Sequence, residues 1–224
     1  MESTLVSDYM IITSSLADRY LEKVREFATE HNILWRSEFP FQVHQIDGSV
    51  NSSSLAEFQS SQVDDSNQKY ILIIRHQEGW CKRTVKYLYA LACGAWVVGM
   101  EWIEESLAAK KVLSPAQYEI KGDLKTNVEN APQLSRLDHE KGCHGIFNNV
   151  FFLIRIQDSR NGIPMNILID LLRRCGCVKD VKDVSSRGKG MRIMEVVDRL
   201  TAQSGLDVVT VDMLLNCIGS WKGL

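Results

Sequence analysis

Short apolar runs alternate with amphipathic segments in the first half of the chain. Residues 9–13 and 70–75 are rich in β-branched and other apolar side chains, which predicts buried strands. Residues 18–31 carry apolar side chains at spacings of three and four, which predicts an amphipathic helix. Residues 32–35 and 39–43 are shorter strand candidates. A strand, a helix and one or two short strands are therefore expected before the central strand.

The same alternation continues to residue 111. A helix is predicted over residues 83–93, ended by Gly94, and a strand over residues 96–99. Another helix is expected over residues 101–111. The Ser-, Asn-, Asp- and Gln-rich residues 47–68 are typical of an exposed loop.

The order of elements then starts again, which indicates a duplicated domain. We expect a first repeat over residues 6–120, a polar linker over residues 121–145 and a second repeat over residues 146–224. In the second repeat, strands are predicted over 150–156, 178–184, 191–197 and 207–210, and helices over 164–175, 198–203 and 213–221. Alternating strands and helices predict a parallel sheet with helices on both faces.

The composition and charge of the chain argue against several classes of function. The 224 residues carry a formal net charge of −2, whereas a dedicated nucleic-acid binder usually has a basic excess. The six cysteines form no CxxC pair and several lie in apolar runs, which favours free thiols in a reducing compartment. No apolar run reaches the roughly 18 residues of a membrane span, and no signal peptide opens the chain. The five histidines lack metal-ligand spacing, and no GxSxG, P-loop or HExxH motif is present, so neither a cofactor nor an enzyme activity is expected.

Two motifs in the first half resemble the BRCT family. Gly94-Ala-Trp-Val-Val followed by Glu101-Trp102-Ile-Glu-Glu resembles the end of a BRCT repeat, with Trp102 at the position of the family's buried Trp. The Arg83-Thr-Val-Lys86 element is similar to one shared by tandem BRCT repeats of DNA-damage proteins. The last helix is similar to that of a RING-domain member of the family, although Met213 stands where a Trp is usual. Met was expected to fill that space loosely.

The resemblance implies two tandem BRCT repeats, each with a four-stranded parallel sheet flanked by helices, that bind a phosphoserine peptide. It implies that Thr13 donates a hydroxyl to the phosphate, that Ser14, where the family usually has Gly, donates a backbone N–H, and that Lys86 supplies the cation. The residues alone leave two alternatives open. Thr13 and Ser14 could cap the following helix, and Lys86 could be an ordinary solvated lysine.

The resemblance also implies a second site between the repeats. Arg83 falls at the position that grips the peptide main chain, and Leu88, Ile163 and Leu215 fall at positions lining an apolar pocket. That pocket takes the side chain three residues after the phosphoserine, often Phe. The alternative is that these aliphatic residues are simply core between the repeats.

The resemblance places the chain in a nuclear protein of the DNA damage response and homologous recombination. It implies that the full-length protein joins a RING-domain partner in a ubiquitin ligase heterodimer, outside these residues. A different function is a phosphate-independent scaffold or nucleosome- or DNA-binding pair. That alternative rests on Ser14, which stands where the family usually has Gly, and on a basic cluster in the second half: Lys179, Lys182, Arg187, Lys189 and Arg192.

Overall fold

The computed structural model describes residues 8–40, 68–143, 145–154, 163–177, 192–197 and 206–224. Six helices and two main parallel sheets lie within these ranges. The elements of the first half are β1 (Tyr9–Ser14), α1 (Asp18–Glu30), β2 (Leu34–Arg36), β3 (Lys69–Ile74), β4 (His76–Gln77), β5 (Trp80–Cys81), α2 (Val85–Ala92), β6 (Trp96–Val98) and α3 (Glu101–Ala108). Those after them are β7 (Gly122–Asp123), α4 (Ala131–Glu140), β8 (Val150–Ile154), α5 (Met165–Arg174), β9 (Arg192–Val197), β10 (Asp207–Thr210) and α6 (Val211–Ser220).

The first sheet has four parallel strands in the order β2, β1, β3, β6. Both faces of its two central strands are buried, as their unbroken apolar sequences predicted. Ile11 and Ile73 pack in one core cluster with Phe27 and Trp102 of α1 and α3. Ile12 and the other face of the sheet pack with α2. The two central strands therefore end between a helix layer on each side.

The second half repeats this plan among the residues described. Strands β8, β9 and β10 form a parallel sheet in the order β10, β9, β8. Its core side chains belong to the same apolar cluster as α2. The strand predicted over 178–184, the helix predicted over 198–203 and almost all of the loop predicted over 47–68 lie outside the described residues. Of the strand predicted over 39–43, Phe39 and Pro40 are described and lie outside any strand.

Helix α2 is the contact between the two halves, as expected. It packs on α4, α5 and α6. The Tyr87 hydroxyl of α2 donates to the Gly219 carbonyl of α6 at 3.3 Å. Burial, the largest cause, raises the pKa of Tyr87, so its hydroxyl stays a neutral donor between the halves.

The segment predicted as a linker contains the helix α4, which the sequence did not predict. Its buried residues are Ala131, Pro132, Ser135 and Arg136, and the Ser135 hydroxyl donates to the Leu91 carbonyl of α2. At the end of α2, Gly94 has a φ of +63°, and a Cβ there would overlap the His139 ring of α4. Close packing of α4 on α2 therefore requires glycine at this turn.

Two details of the prediction differ from the structure. Helix α2 begins at Val85, because Thr84 is its N-cap and accepts a hydrogen bond from the Tyr87 N–H at 3.1 Å. Met213 is 40% exposed, whereas Trp102 of the first half is fully buried. Met213 therefore does not fill the space that Trp102 fills.

None of the helices in the described ranges combines the length and apolarity needed to cross a membrane.

Candidate functional site

Two neighbouring concavities lie over the N-terminus of α2. The first, which we call the lysine hollow, has a volume of about 490 Å³ and is lined by Ser14, Glu38, Thr84, Val85, Lys86 and Ile167, among others. The second, the inter-repeat groove, has a volume of about 470 Å³ and is lined by Arg83, Leu88, Leu124, Ile163, Asp212 and Leu215, among others. Thr84 and Val85 line both. The two concavities are therefore adjacent parts of one surface.

Hydroxyl groups meet at the entrance to α2. Ser14, the last residue of β1, has its Oγ 3.1 Å from the Oγ1 of Thr84. Thr84 Oγ1 also accepts a hydrogen bond from the Tyr87 N–H in the first turn of α2. Helix N-termini carry partial positive charge and favour anions. The lysine hollow thus combines two hydroxyls with the end of a helix that carries partial positive charge.

Thr13 and Ser14 contribute to this site in different ways. Successive strand side chains point to opposite faces, so Thr13 shares the face of Ile11 and Ser14 shares the face of Ile12, which packs with α2. Thr13 instead contributes its backbone carbonyl, which accepts from Lys86 at 3.1 Å. The helix-capping alternative is wrong, because the N-cap of α1 is Ala17 and no side chain caps that helix.

The backbone conformation that favours glycine lies at Ser15. Ser15 has a φ of +57° and is exposed, whereas Ser14 still belongs to the extended strand β1. Residues with a Cβ resist this left-handed region. The left-handed conformation that suits glycine therefore lies at the residue after Ser14, whereas Ser14 is where the resemblance places the family's glycine.

Lys86 is held firmly at the edge of the lysine hollow. Its Nζ donates to the carbonyl of Thr13 at 3.1 Å and to the carbonyl of Ser37 at 2.8 Å. The same atom lies 2.9 Å from Oε1 of Glu38. The Lys86 side chain is 25% exposed, so it is not an ordinary solvated lysine. Its charge is fixed in position next to the Ser14–Thr84 hydroxyl pair.

The inter-repeat groove brings together all four residues predicted for it. Leu88 of α2 and Leu215 of α6 are buried, as is Ile163 just before α5. The same three side chains belong to the core cluster shared by the two halves. The three side chains therefore line the groove and also belong to the core, because the groove is cut into the edge of that core.

Arg83 is anchored from the opposite half of the chain. Its Nη1 donates to Oδ1 of Asn216 at 2.7 Å, and its Nη2 lies 3.6 Å from Oδ1 of Asp212. A guanidinium carries five N–H donors, so donors remain for a ligand beyond these two contacts in the described part of the chain. Asp212 also pairs with Lys125, which lines the groove. Arg83 is thus oriented over the apolar wall.

Sequence reasoning missed several members of this site. Thr84 carried a usable signal, since a Thr directly before a helix is a common N-cap. Asn216 lies 133 residues from Arg83 in the sequence, and Glu38 lies 48 residues from Lys86, so no local pattern pairs them. Only the packing of α6 and of the segment after β2 brings them to the site.

The described residues give little support for thiol chemistry or for a metal site. The six cysteines are free, as predicted. Burial first, and the nearby Asp123 second, raise the pKa of Cys81 to about 12, which makes this thiol unreactive at neutral pH. Within the described ranges, no group of three His, Cys, Asp or Glu side chains could hold a metal ion.

Comparison with solved structures decides the fold. The structure matches a crystal structure of the S. pombe Brc1 BRCT5-BRCT6 domains with a TM-score of 0.53 at 14% identity, covering 96% of this chain and 92% of that one. The chain folds as a tandem BRCT pair. No family model matches the sequence.

Sequence relatives point to one group of BRCT proteins. The chain is 31% identical over 108 residues to the breast cancer type 1 susceptibility protein homolog of Rattus norvegicus, covering 48% of this chain. It is 29% identical over 90 residues, or 40% of this chain, to the Protein BREAST CANCER SUSCEPTIBILITY 1 homolog of Arabidopsis thaliana. The matched segments make up only 6% and 10% of those relatives. The predicted resemblance to the BRCT family is thus confirmed, and the matched part of this chain corresponds to a small part of these relatives.

Proposed function

We propose that this BRCT pair binds a phosphoserine-containing peptide across the lysine hollow and the inter-repeat groove. The phosphate lies in the hollow, and the side chain three residues later lies in the groove. The observation that carries the proposal is the shared wall, Thr84 and Val85, between the hollow that holds Lys86 and Ser14 and the groove that holds Leu88, Ile163 and Leu215. An extended peptide advances roughly 3.3 Å per residue, so three residues span about 10 Å, a distance suited to adjacent hollows.

The chemistry of the lysine hollow suits a phosphate. A phosphoserine brings about −1.5 to −2 charges and three acceptor oxygens. Lys86 supplies a cation, Ser14 and Thr84 supply hydroxyls, and α2 directs its N-terminus toward the hollow. A hydrogen bond to a charged group contributes more than a neutral one.

We assign the phosphate contacts one residue later than the sequence predicted. Ser14, rather than Thr13, donates the hydroxyl, because Ser14 lies on the α2 side of the sheet. Ser15, rather than Ser14, donates the backbone N–H, because it is exposed and has the left-handed conformation. Lys86 keeps its predicted role.

The groove supplies selectivity for the rest of the peptide. Arg83 donates to the peptide main chain, and Leu88, Ile163 and Leu215 surround an aromatic side chain such as Phe. Burying such a side chain contributes roughly 1.5–3 kcal/mol. The tandem BRCT fold supports a binding module rather than an enzyme.

The relatives suggest the wider setting. We propose that the chain belongs to a nuclear DNA-damage protein, and its similarity to breast cancer type 1 susceptibility protein homologs and to tandem BRCT domains supports this. The RING-domain partner and the ubiquitin ligase heterodimer are part of this proposal and lie outside the chain. We propose repeat limits of 6–120 and 146–224, with residues 121–145 between them.

The Lys86→Met variant should lose at least about tenfold in affinity for a pSer-x-x-Phe peptide. Losing one charge-assisted contact costs roughly 1.5–3 kcal/mol, which is tenfold or more. Fluorescence anisotropy with the phosphorylated peptide and its unphosphorylated twin measures this. Lys23→Met is the matched control, because Lys23 pairs with Glu104 on the far side of the sheet. Equal binding of the two peptides would overturn the proposal.

The hydroxyl assignment predicts opposite behaviour for neighbouring residues. Ser14→Ala should weaken phosphopeptide binding about tenfold, since it removes a hydroxyl that contacts a charged group. Thr13→Val keeps the side-chain shape on the opposite face and should change affinity less than about twofold. The reverse ranking in the same titration would return the hydroxyl role to Thr13.

The nucleosome- or DNA-binding alternative is carried by no observation in the structure. Four of its five cations lie outside the described residues, and the fifth, Arg192, is paired with Asp207 at 3.1 Å. Binding to nucleosomes through several cations would weaken steeply with salt. Salt-sensitive nucleosome binding that is independent of phosphate would favour that alternative.

A further inference from the structure

We propose that Glu38 is a built-in competitor that occupies the phosphate position of the lysine hollow until a ligand displaces it. This inference rests on the proposed function and adds a residue that sets how strongly a ligand must bind in order to occupy the lysine hollow. Glu38 lines the lysine hollow with Ser14 and Thr84. Its carboxylate lies 2.9 Å from Lys86 Nζ, where a phosphate oxygen would have to lie.

The donors of Lys86 are fully used by its three contacts. An ammonium group has three N–H donors and no acceptor. Two are taken by the carbonyls of Thr13 and Ser37, and the third faces the Glu38 carboxylate. An incoming phosphate therefore cannot add to this arrangement as a fourth partner. It must replace one of the three.

Glu38 is the partner that can leave. The Thr13 carbonyl belongs to the buried strand β1, and the Ser37 carbonyl belongs to the backbone directly after β2. The Glu38 side chain is 71% exposed, and Lys86 is its ion-pair partner among the described residues. Rotating this side chain into water costs little, because exposed ion pairs contribute at most about 1 kcal/mol.

The exchange favours phosphate over a carboxylate ligand. A ligand Asp or Glu would replace one single negative charge with another, so it gains no charge at Lys86. A phosphoserine replaces it with about −1.5 to −2 charges and three acceptor oxygens. The competitor lowers the affinity of every anion, and the strongest anion alone keeps useful affinity. Glu38 thus sets an affinity threshold for both kinds of segment, and a phosphorylated segment, with its larger charge, passes it more readily than a merely acidic one.

The test compares Glu38→Gln with the unaltered chain, using a pSer-x-x-Phe peptide and a Glu-x-x-Phe peptide. We expect Glu38→Gln to bind both about two- to fivefold more tightly, the range of one exposed ion pair. Glu22→Gln is the control with the same change of net charge, since Glu22 is exposed on α1, on the other face of the sheet. A gain no larger than that of Glu22→Gln would overturn the inference and leave the proposed function standing.

A double-mutant cycle shows whether the gain acts through Lys86. In a Lys86→Met background, Glu38→Gln should improve binding by a clearly smaller factor than in the unaltered chain, because no ammonium remains to be freed. The same gain in both backgrounds would mean simple charge repulsion and would overturn the competitor role. If the unaltered chain binds neither peptide, the proposed function fails, and this inference fails with it.

Discussion

Replacing Trp102 with Ala should lower the free energy of unfolding by about 3–5 kcal/mol, as measured by urea denaturation. Trp102 is fully buried and packs edge-on against Phe27, with ring centroids 5.3 Å apart. Its indole Nε1 donates to the Leu113 carbonyl at 2.8 Å. The variant loses this packing and also leaves a carbonyl without its donor. A loss of this size is a large share of the stability of a domain.

Met213 provides the matched control in the second half. The family resemblance implies that it takes the corresponding place on α6, but it is 40% exposed. Met213→Ala should therefore cost less than about 1 kcal/mol. Equal losses for Trp102→Ala and Met213→Ala would contradict the conclusion that Trp102 is a core residue of the first half and that Met213 is not one in the second half.

Replacing Arg136 with Met should cost about 3–5 kcal/mol, because it leaves a buried carboxylate without its partner. The Arg136 guanidinium reaches Glu119 through Nε at 3.2 Å and Nη2 at 3.0 Å, and it lies 3.5 Å from the centre of the Trp96 ring. Both paired side chains are at most 10% exposed. Lys23→Met, which breaks an exposed pair, should cost less than about 1 kcal/mol in the same denaturation experiment.

The cost of Arg136→Met should depend on pH in a defined direction. Burial raises the pKa of Glu119 above its ordinary value of 4.5, and Arg136 partly opposes this rise. Without Arg136 the pKa of Glu119 rises further in the folded state. A group with a raised folded pKa binds its proton more tightly when folded, so acidification stabilises the variant relative to the unaltered chain. The deficit should be largest at neutral pH and should shrink as the pH falls toward 4.5. A deficit that grows on acidification would contradict this explanation.

The sequence predicted the sheet-forming parts of the fold well. The strands β1, β3 and β6 are continuous apolar runs, and the helices α1 and α5 have one apolar face. These patterns exist because both faces of a parallel sheet are covered. The four groove residues were also predicted from the family resemblance, and the structure brings them together.

Helix α4 shows why the linker was harder to predict. Its buried face consists of Ala131, Pro132, Ser135 and Arg136, whereas Leu134 is exposed. Two of these four buried residues are polar or charged and a leucine is exposed, so α4 lacks the apolar face by which an amphipathic helix is predicted. Ser135 and Arg136 are buried only because Leu91 and Glu119, distant in sequence, supply their partners. No window of sequence contains that information.

The phosphate contacts that we propose lie one residue after those that the family resemblance implied, and the length of strand β1 is the reason for this assignment. Strand β1 extends to Ser14, one residue beyond the predicted end at Thr13. In a strand, a shift of one residue moves a side chain to the opposite face. The end of a strand is poorly marked by apolar pattern when its last residues are Thr and Ser. The one-residue shift therefore became visible only when the strand was placed against α2.

A titration with four peptides tests the central claim most directly. The peptides combine Ser or phosphoserine with Phe or Ala three residues later, and binding is measured to the unaltered chain. The two-hollow account predicts micromolar binding of the phosphoserine–Phe peptide, about −8 kcal/mol, and a loss of at least tenfold when either the phosphate or the Phe is removed. Binding that is equal for the phosphorylated and unphosphorylated peptides would contradict a phosphate site around Lys86. Binding that ignores the Phe would contradict the role of the inter-repeat groove.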